Sequence, residues 1–294
     1  MDRPADRLVL PRATRWIVRI LRPFLMVATK RDWRGVEKLP TDGGYVLAPN
    51  HLSHLDPILI SHFMVDHQVA PRFLAKDTLF SVKGLGAILH GAEQIPVHRS
   101  TEGAAESLRS AVAAVESGKV VTIYPEGTIT RDPELWPMSG RTGAVRVALA
   151  TGRPLVPMAQ WGAQKILWPY TKVPKFLPRK TIHVVIGDPI DLSDLRDRPL
   201  TEEVLRTATG RLMDALTAMV GEIRGELPTG PRIDVHTLAR PRSDFRAPLE
   251  GGPAPAPNDP APNDPAPHDP ASNDPASNDP APADPGGADT PKEP

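Results

Sequence analysis

The stretch GYVLAPNHLSHLDPILISHFM, residues 44–64, indicates the fold class of this 294-residue chain. It begins with a short apolar run over residues 44–49, which predicts a buried strand. After a polar loop, Asp56 and Pro57 supply an N-cap residue and a proline at the first helical position, so a helix is predicted to begin there. A buried strand that leads through a short loop into a helix is typical of α/β domains.

The alternation of strand-like and helix-like segments continues along the chain. Further strands are predicted at residues 72–75, 93–97, 119–125, 154–160 and 181–187. Further helices are predicted at residues 101–117, 142–152 and 201–224. This order predicts a single α/β domain over residues 35–246, with a largely parallel or mixed sheet flanked by helices and preceded by N-terminal amphipathic helices.

The N-terminal segment, residues 1–34, has a basic amphipathic pattern. Four arginines occupy one side of the predicted helix, and large apolar residues occupy the rest of its circumference. Pro23 is expected to end or kink this helix and so divide it into two pieces. A basic stripe beside a wide apolar face is typical of a helix that lies in a membrane interface, and an ordinary amphipathic helix packed on the domain is the alternative. The arginines share one helical stripe: Arg12, Arg15, Arg19 and Arg22.

Two negative observations bear on localisation. No apolar run approaches the ~18–20 residues that a membrane-spanning helix needs, and the N-terminal segment lacks the cleavage site of a secretory signal. We therefore expect a peripheral protein on the cytoplasmic side of an anionic membrane.

The C-terminal segment, residues 247–294, differs in composition from the rest of the chain. From residue 256 to 285 a five-residue unit, such as APNDP, repeats six times without a large apolar side chain, which predicts a disordered tail. Residues 251–294 contain seven Asp, one Glu and one Lys, a net charge of −7, so the formal net charge of +0 conceals +7 on residues 1–250. The absence of Cys excludes a disulfide scaffold and a thiolate nucleophile or metal ligand.

Positive charge is concentrated in the second half of the predicted domain. Residues 135–187 contain eight Lys or Arg and no Asp or Glu, and residues 161–180 combine five of these bases with four aromatic residues. This combination suits a lipid headgroup layer or a polyanionic ligand. Nucleic acid is disfavoured as a partner because the bases alternate with large aliphatic residues and no nucleic-acid-binding motif is present.

The loop NHLSHLDP, residues 50–57, allows three interpretations. His51 and His54 could bind a metal, but Pro57 stands where a metallo-hydrolase of the β-lactamase type has its last histidine, and no second ligand cluster follows. Asp56 could act only as a helix cap. His51 and Asp56 could instead carry out proton transfer.

Other polar residues follow predicted strands in the same way. Arg99 follows one strand, Glu126 and Gly127 follow a second, and Pro157 lies in a third. The carboxyl ends of strands are where an open α/β sheet gathers its binding site. These residues are therefore candidates for a common site with His51.

Four sequence blocks in this order resemble the glycerolipid acyltransferases, whose best-known members are 1-acylglycerol-3-phosphate O-acyltransferases. The resemblance covers residues 35–190. The blocks are Asn50-His51 with Asp56, residues 95–99 ending in Arg99, residues 124–128 (YPEGT), and Val156-Pro157. The chain departs from the family at Ile129 and Thr130, where Arg-Ser is usual, and at His98, where Asp is frequent. Arg131 or Arg141 could replace the missing charge.

The resemblance implies roles that the chemistry supports. His51 would be the general base that accepts the proton of an attacking hydroxyl, and Asp56 would orient and stabilise its imidazolium. Arg99 would bind an acceptor phosphate, Glu126 would orient acceptor hydroxyls, and Gly127 would let backbone N–H groups approach an oxyanion. The predicted substrate-binding residues are Arg99, Glu126, Gly127, Thr128 and Arg141.

The expected activity is transfer of a fatty acyl chain from a coenzyme A or carrier-protein thioester to a lysophospholipid. The resemblance favours 1-acylglycerol 3-phosphate as acceptor, giving phosphatidic acid, with no metal and no prosthetic group. Three alternatives remain at this point: an acyltransferase of the same fold with another acceptor, a non-catalytic lipid-binding protein, and a metallo-hydrolase.

Overall fold

A computed structural model of the chain describes residues 10–97 and 101–234, with the side chains of residues 101 and 102 excluded. Its helices are α1 (Arg12–Ala28), α2 (Asp56–Asp66), α3 (Asp77–Phe80), α4 (Leu85–Gly91), α5 (Thr101–Glu116), α6 (Gly143–Thr151), α7 (Ala163–Ile166) and α8 (Glu202–Arg224). Its strands are β1 (Thr29–Arg34), β2 (Tyr45–Pro49), β3 (Leu74–Lys76), β4 (Ile95–Val97), β5 (Val120–Thr122), β6 (Leu155–Trp161) and β7 (Lys180–Ile186). The predicted C-terminal tail, His98 and Arg99 lie outside the described residues.

Five strands form the central sheet in the order β1-β7-β6-β2-β5. The pairs β1–β7, β2–β6 and β2–β5 are parallel, whereas β6–β7 is antiparallel. Strands β3 and β4 form a separate parallel pair. The predicted α/β class with a mixed sheet is therefore confirmed.

The sheet is covered by helices on both faces, because side chains along each strand alternate between two apolar clusters. In β2, Val46 and Ala48 belong to the cluster that α5, α6 and α8 complete. Tyr45 and Leu47 belong to the other cluster, which α2, α7 and Leu25 of α1 complete. Strand β2 is buried along its whole length, as the run over residues 44–49 predicts.

Two details of the N-terminal segment differ from the prediction. Pro23 lies inside one continuous helix rather than between two pieces. Residues 29–34, predicted to belong to the interfacial segment, form edge strand β1 and pair in register with β7, so the sheet begins before residue 35. This strand, TKRDWR, is largely polar because an edge strand is only partly covered, so it lacks the apolar run by which strands are recognised.

Helix α1 packs against the domain along only part of its circumference. Leu25 and Ala28 are buried, and Arg22 forms an ion pair of 2.6 Å with Asp66 at the end of α2. The opposite side is exposed: Ile20 is 68% and Val27 73% accessible to solvent. The exposed large apolar side chains of α1 are Trp16, Ile20, Phe24 and Val27. Within residues 10–97 and 101–234, no helix is both long enough and apolar enough to cross a bilayer.

Candidate active site

The loop of residues 50–55 joins the carboxyl end of β2 to α2, and Asn50 fixes its first residue. The Asn50 side-chain oxygen accepts a hydrogen bond from the Gln160 N–H (2.8 Å), and its side-chain nitrogen donates to the Gln160 carbonyl (3.2 Å). The Gln160 side chain in turn donates to the Asn50 carbonyl (3.0 Å). Asn50 thus continues the pairing of β2 with β6 beyond the end of the strand.

His51 and Asp56 contact each other directly. The His51 Nδ1 lies 2.8 Å from Asp56 Oδ2, the carboxylate is fully buried, and the imidazole remains partly exposed. Asp56 Oδ2 also accepts hydrogen bonds from the N–H groups of Leu52 (2.6 Å) and Ser53 (2.9 Å). Because a carboxylate only accepts, this contact places the His51 proton on Nδ1 and leaves Nε2 as an acceptor.

Asp56 is not the cap of α2. The helix begins at Asp56 itself, and no side chain caps its first turn. The carboxylate instead accepts hydrogen bonds from the preceding loop, on the side of His51. The structure therefore separates the orienting interpretation of Asp56 from the helix-cap interpretation, and its geometry matches the first.

Tyr124 fixes the plane of the imidazole. Its ring stacks on the His51 ring with 4.0 Å between centroids and an interplanar angle of 21°. Burial raises the pKa of the Tyr124 hydroxyl well above its usual range. Sequence reasoning included Tyr124 only as part of the YPEGT block, because stacking between residues 124 and 51 requires knowing that β5 and β2 are neighbours.

Glu126 joins two loops beneath the site. It is fully buried; Oε1 accepts a hydrogen bond from the His51 N–H (2.9 Å), and Oε2 accepts one from the Met138 N–H (3.1 Å). The Thr130 N–H donates to the His51 carbonyl (2.8 Å), so both backbone groups of His51 are held by the segment after β5. Glu126 therefore braces the histidine loop.

Gly127 has a geometric reason to be glycine. Its φ is +67°, and a Cβ at this position would lie 2.7 Å from the Arg141 Cδ. The Gly127 N–H donates to the Tyr124 carbonyl (3.1 Å), so it is already engaged in a turn rather than directed at an oxyanion. Arg141 donates its own N–H to the Pro125 carbonyl (2.7 Å), and its exposed side chain lies over Gly127.

The residues that replace the family's Arg-Ser point inward. Ile129 and Thr130 are both buried, and the Thr130 hydroxyl donates to the Trp136 carbonyl (2.8 Å). The Tyr170 hydroxyl donates to the Ile129 carbonyl (2.6 Å) and also interacts with Thr128 and Arg131. Arg131 is thus engaged with Tyr170, whereas the Arg141 guanidinium makes no hydrogen bond or ion pair with any residue that the structure describes.

His54 is set apart from the dyad. It is exposed and meets the edge of Tyr170 at 6.5 Å between ring centroids. Partial desolvation of the ring and the neighbouring His51 lower its pKa. Within residues 10–97 and 101–234, no group of three or more His, Asp or Glu side chains is arranged to hold a metal ion.

Glu126→Gln is expected to flatten the pH dependence of stability. Burial raises the pKa of Glu126 to about 8, against the opposing hydrogen bonds from Met138 and His51. The folded state therefore holds this proton more tightly than the unfolded state, whose pKa is near 4.5, and the resulting stabilisation is lost as pH rises towards about 8. The thermal midpoint should fall with pH between about 5 and about 8 in the natural protein and fall less in the variant.

The control is Glu116→Gln, which changes an exposed glutamate on α5 and should keep the natural slope. Equal slopes in the natural protein and Glu126→Gln would contradict the prediction.

Comparison with known proteins gives a consistent result. Residues 30–161 match the family model described as Acyltransferase. The chain is 27% identical over 191 residues to the 1-acyl-sn-glycerol-3-phosphate acyltransferase of Bacillus subtilis, covering 65% of this chain and 86% of that protein. It is 29% identical over 163 residues to a chloroplastic 1-acyl-sn-glycerol-3-phosphate acyltransferase of Brassica napus, covering 55% of this chain and 45% of that protein.

A solved structure shows the same fold. The crystal structure of the 1-acyl-sn-glycerophosphate acyltransferase PlsC from Thermotoga maritima matches with a TM-score of 0.56 at 22% identity, covering 74% of this chain and 81% of that chain. The family match and the named relatives indicate that the chain is an acyltransferase on this mixed-sheet fold. Residues 30–161 match the acyltransferase family model, and the resemblance drawn from the four sequence blocks is confirmed.

Proposed function

We propose that this enzyme transfers a fatty acyl chain from a coenzyme A or carrier-protein thioester to the free hydroxyl of 1-acylglycerol 3-phosphate, giving phosphatidic acid. The observation that carries the proposal is the 2.8 Å contact between His51 Nδ1 and a fully buried Asp56 carboxylate. The names of the curated relatives support this acceptor.

The dyad supplies the proton transfers of this reaction. His51 Nε2 accepts the acceptor's hydroxyl proton as its oxygen attacks the thioester carbonyl, and Asp56 stabilises the imidazolium that forms. The attack gives a tetrahedral intermediate. When this intermediate collapses, the carbon–sulfur bond breaks and the imidazolium returns the proton to the departing thiolate. The thioester is already activated, so no covalent intermediate on the protein is required.

The test is acyl transfer by the purified full chain from one labelled acyl-coenzyme A to a panel of lysolipids. Formation of phosphatidic acid from 1-acylglycerol 3-phosphate supports the proposal. A protein that binds lysolipid and forms no acylated product would overturn it in favour of a lipid-binding protein.

One observation favours a second candidate, an acyltransferase with a different acceptor. Ile129 and Thr130 are buried where the family usually has Arg-Ser, so neither side chain presents a charge to an acceptor. In the panel, faster acylation of a lysolipid without a phosphate monoester would identify this second candidate.

Arg99 and Arg141 are proposed to bind the acceptor phosphate. The resemblance assigns Arg99, and Arg141 is the exposed cation beside the Pro125–Gly127 turn. Arg99→Ala and Arg141→Ala should each raise the acceptor KM by roughly 10- to 100-fold with a smaller change in kcat, because a charge-assisted hydrogen bond is worth about 1.5–3 kcal/mol. A change confined to the KM for the thioester would contradict this assignment. The control is Arg206→Ala, at an exposed position of α8.

The same proposal places α1 on an anionic membrane. Its apolar stripe is exposed to solvent and consists of Trp16, Ile20, Phe24 and Val27. An ordinary amphipathic surface helix would instead pack its apolar stripe on the domain. Three of its four arginines flank this stripe without an acidic partner among the described residues: Arg12, Arg15 and Arg19.

Replacing these three arginines with Gln should weaken binding to anionic vesicles about 100-fold, since each base near such a surface contributes about 1 kcal/mol. Cosedimentation of the full chain with vesicles measures this. Truncation before residue 32 is unsuitable because it removes half of β1. Unchanged binding by the triple variant would contradict membrane attachment through α1.

A further inference from the structure

Residues 172–179, here called the basic loop, form the second part of the connection between α7 and β7 and have no regular secondary structure. Two large apolar side chains of this loop are almost free of contacts: Val173 is 74% and Leu177 82% exposed. Three exposed bases alternate with them: Lys172, Lys175 and Arg179. Neither the mechanism nor the fold explains why apolar side chains should be displayed here.

The basic loop is attached to the carboxyl end of α1. Phe176 packs edge-on against Phe24, with 5.1 Å between ring centroids and an interplanar angle of 78°. Arg179 Nη2 donates hydrogen bonds to the Met26 carbonyl (3.1 Å) in the last turn of α1 and to the Thr29 carbonyl (2.8 Å) at the start of β1. Because Phe24 belongs to the exposed stripe of α1, the loop and this stripe form one continuous surface.

This surface is free of negative charge along both of its segments. Residues 10–31 contain no Asp or Glu, and residues 135–187 contain none either. Bases at such a surface are attracted to an anionic bilayer, and apolar side chains beside them gain from leaving water. An acidic protein would also attract the bases. Its charge alone, however, would not cover the apolar side chains that α1 and the basic loop both expose.

We propose that the basic loop is a second membrane-docking element, which inserts Val173 and Leu177 among the headgroups of an anionic bilayer beside α1. This rests on the membrane attachment of α1 proposed above. The enzyme then meets the bilayer at two elements that are far apart in sequence, so its rotation about the axis of α1 is restricted.

The absence of Cys makes a site-specific test direct. Leu177→Cys in the full chain provides a single thiol for an environment-sensitive nitrobenzoxadiazole label, and Ile20→Cys reports on α1. With vesicles of phosphatidylcholine and phosphatidylglycerol in equal parts, both labels should shift to shorter wavelength and brighten several-fold. Leu227→Cys, a similarly exposed leucine that follows α8, the helix on the other face of the sheet, should not respond.

Each outcome decides the proposal. A response at residue 20 with none at residue 177 would leave α1 docked and overturn the loop's role, and silence at both would overturn the docking altogether. A response at residue 177 to an acidic carrier protein but to no vesicle would assign the surface to a protein partner instead. The label needs no turnover, so failure of the acyl-transfer proposal would leave these results unchanged.

A charge variant tests the bases separately. Lys172→Gln combined with Lys175→Gln should lower the partition coefficient onto the anionic vesicles by about 10- to 30-fold. Arg196→Gln combined with Arg198→Gln removes the same net charge from exposed positions near the start of α8. Equal losses from the two pairs would mean that net charge alone drives binding and would overturn the local contact.

Discussion

Replacing Asp56 with Asn is expected to lower kcat by about 10²–10³, although Asn caps helices nearly as well as Asp. The two backbone N–H groups that donate to Oδ2 should draw the amide oxygen to the same place, so the imidazole keeps its tautomer. The negative charge beside the imidazolium is lost, and the expected change in kcat corresponds to about 2.7–4 kcal/mol of transition-state stabilisation.

Turnover and thermal midpoint should be measured together for this variant. Asp42→Asn, at an exposed position in the loop before β2, is the control and should match the natural protein in both. A fully active Asp56→Asn protein would show that the carboxylate only orders the loop and would leave His51 without a charged partner.

His51→Ala is expected to have the largest effect, a loss in kcat of about 10²–10⁴, which is the usual share of general base catalysis. The thermal midpoint should change little, because Glu126 and Thr130 hold the backbone of residue 51 rather than its side chain. His54→Ala is the matched control, because this exposed histidine lies in the same loop. Its replacement should lower kcat only slightly.

The double variant His51→Ala/Asp56→Asn should be hardly slower than His51→Ala alone, because the two residues act as one unit. Losses that multiply would instead give Asp56 a function independent of the imidazole. Residual turnover in all three variants would be compared with the uncatalysed reaction under the same conditions.

The parts of the fold that could be predicted from the sequence are those whose residues are buried on a regular period. Helix α8 and strand β6 lie within one residue of their predicted bounds, because α8 carries an apolar stripe and β6 is buried almost throughout. Strand β1 escaped prediction because half of its residues face solvent at the sheet edge. The short helices α3 and α4 escaped because segments of four and seven residues are too short to show a helical period.

The candidate site divides in the same way. The contact between His51 and Asp56 could be predicted because the two residues are five apart in one loop. The bracing by Glu126 spans 75 residues and depends on the lateral order of β2 and β5, which no local pattern encodes. The same separation hid the stacking of Tyr124 on His51 and the approach of Arg141 to Gly127.

Helix α2 joins the two ends of the proposed working assembly. Asp56 at its first residue holds the imidazole, and Asp66 at its last residue holds Arg22 of α1. Ten residues of helix span about 15 Å, so α2 separates the His51 imidazole from the Arg22 ion pair by a distance of this order. With α1 on the bilayer, as proposed above, a lysolipid would be acylated only when its hydroxyl reaches across this distance while its chain stays in the bilayer.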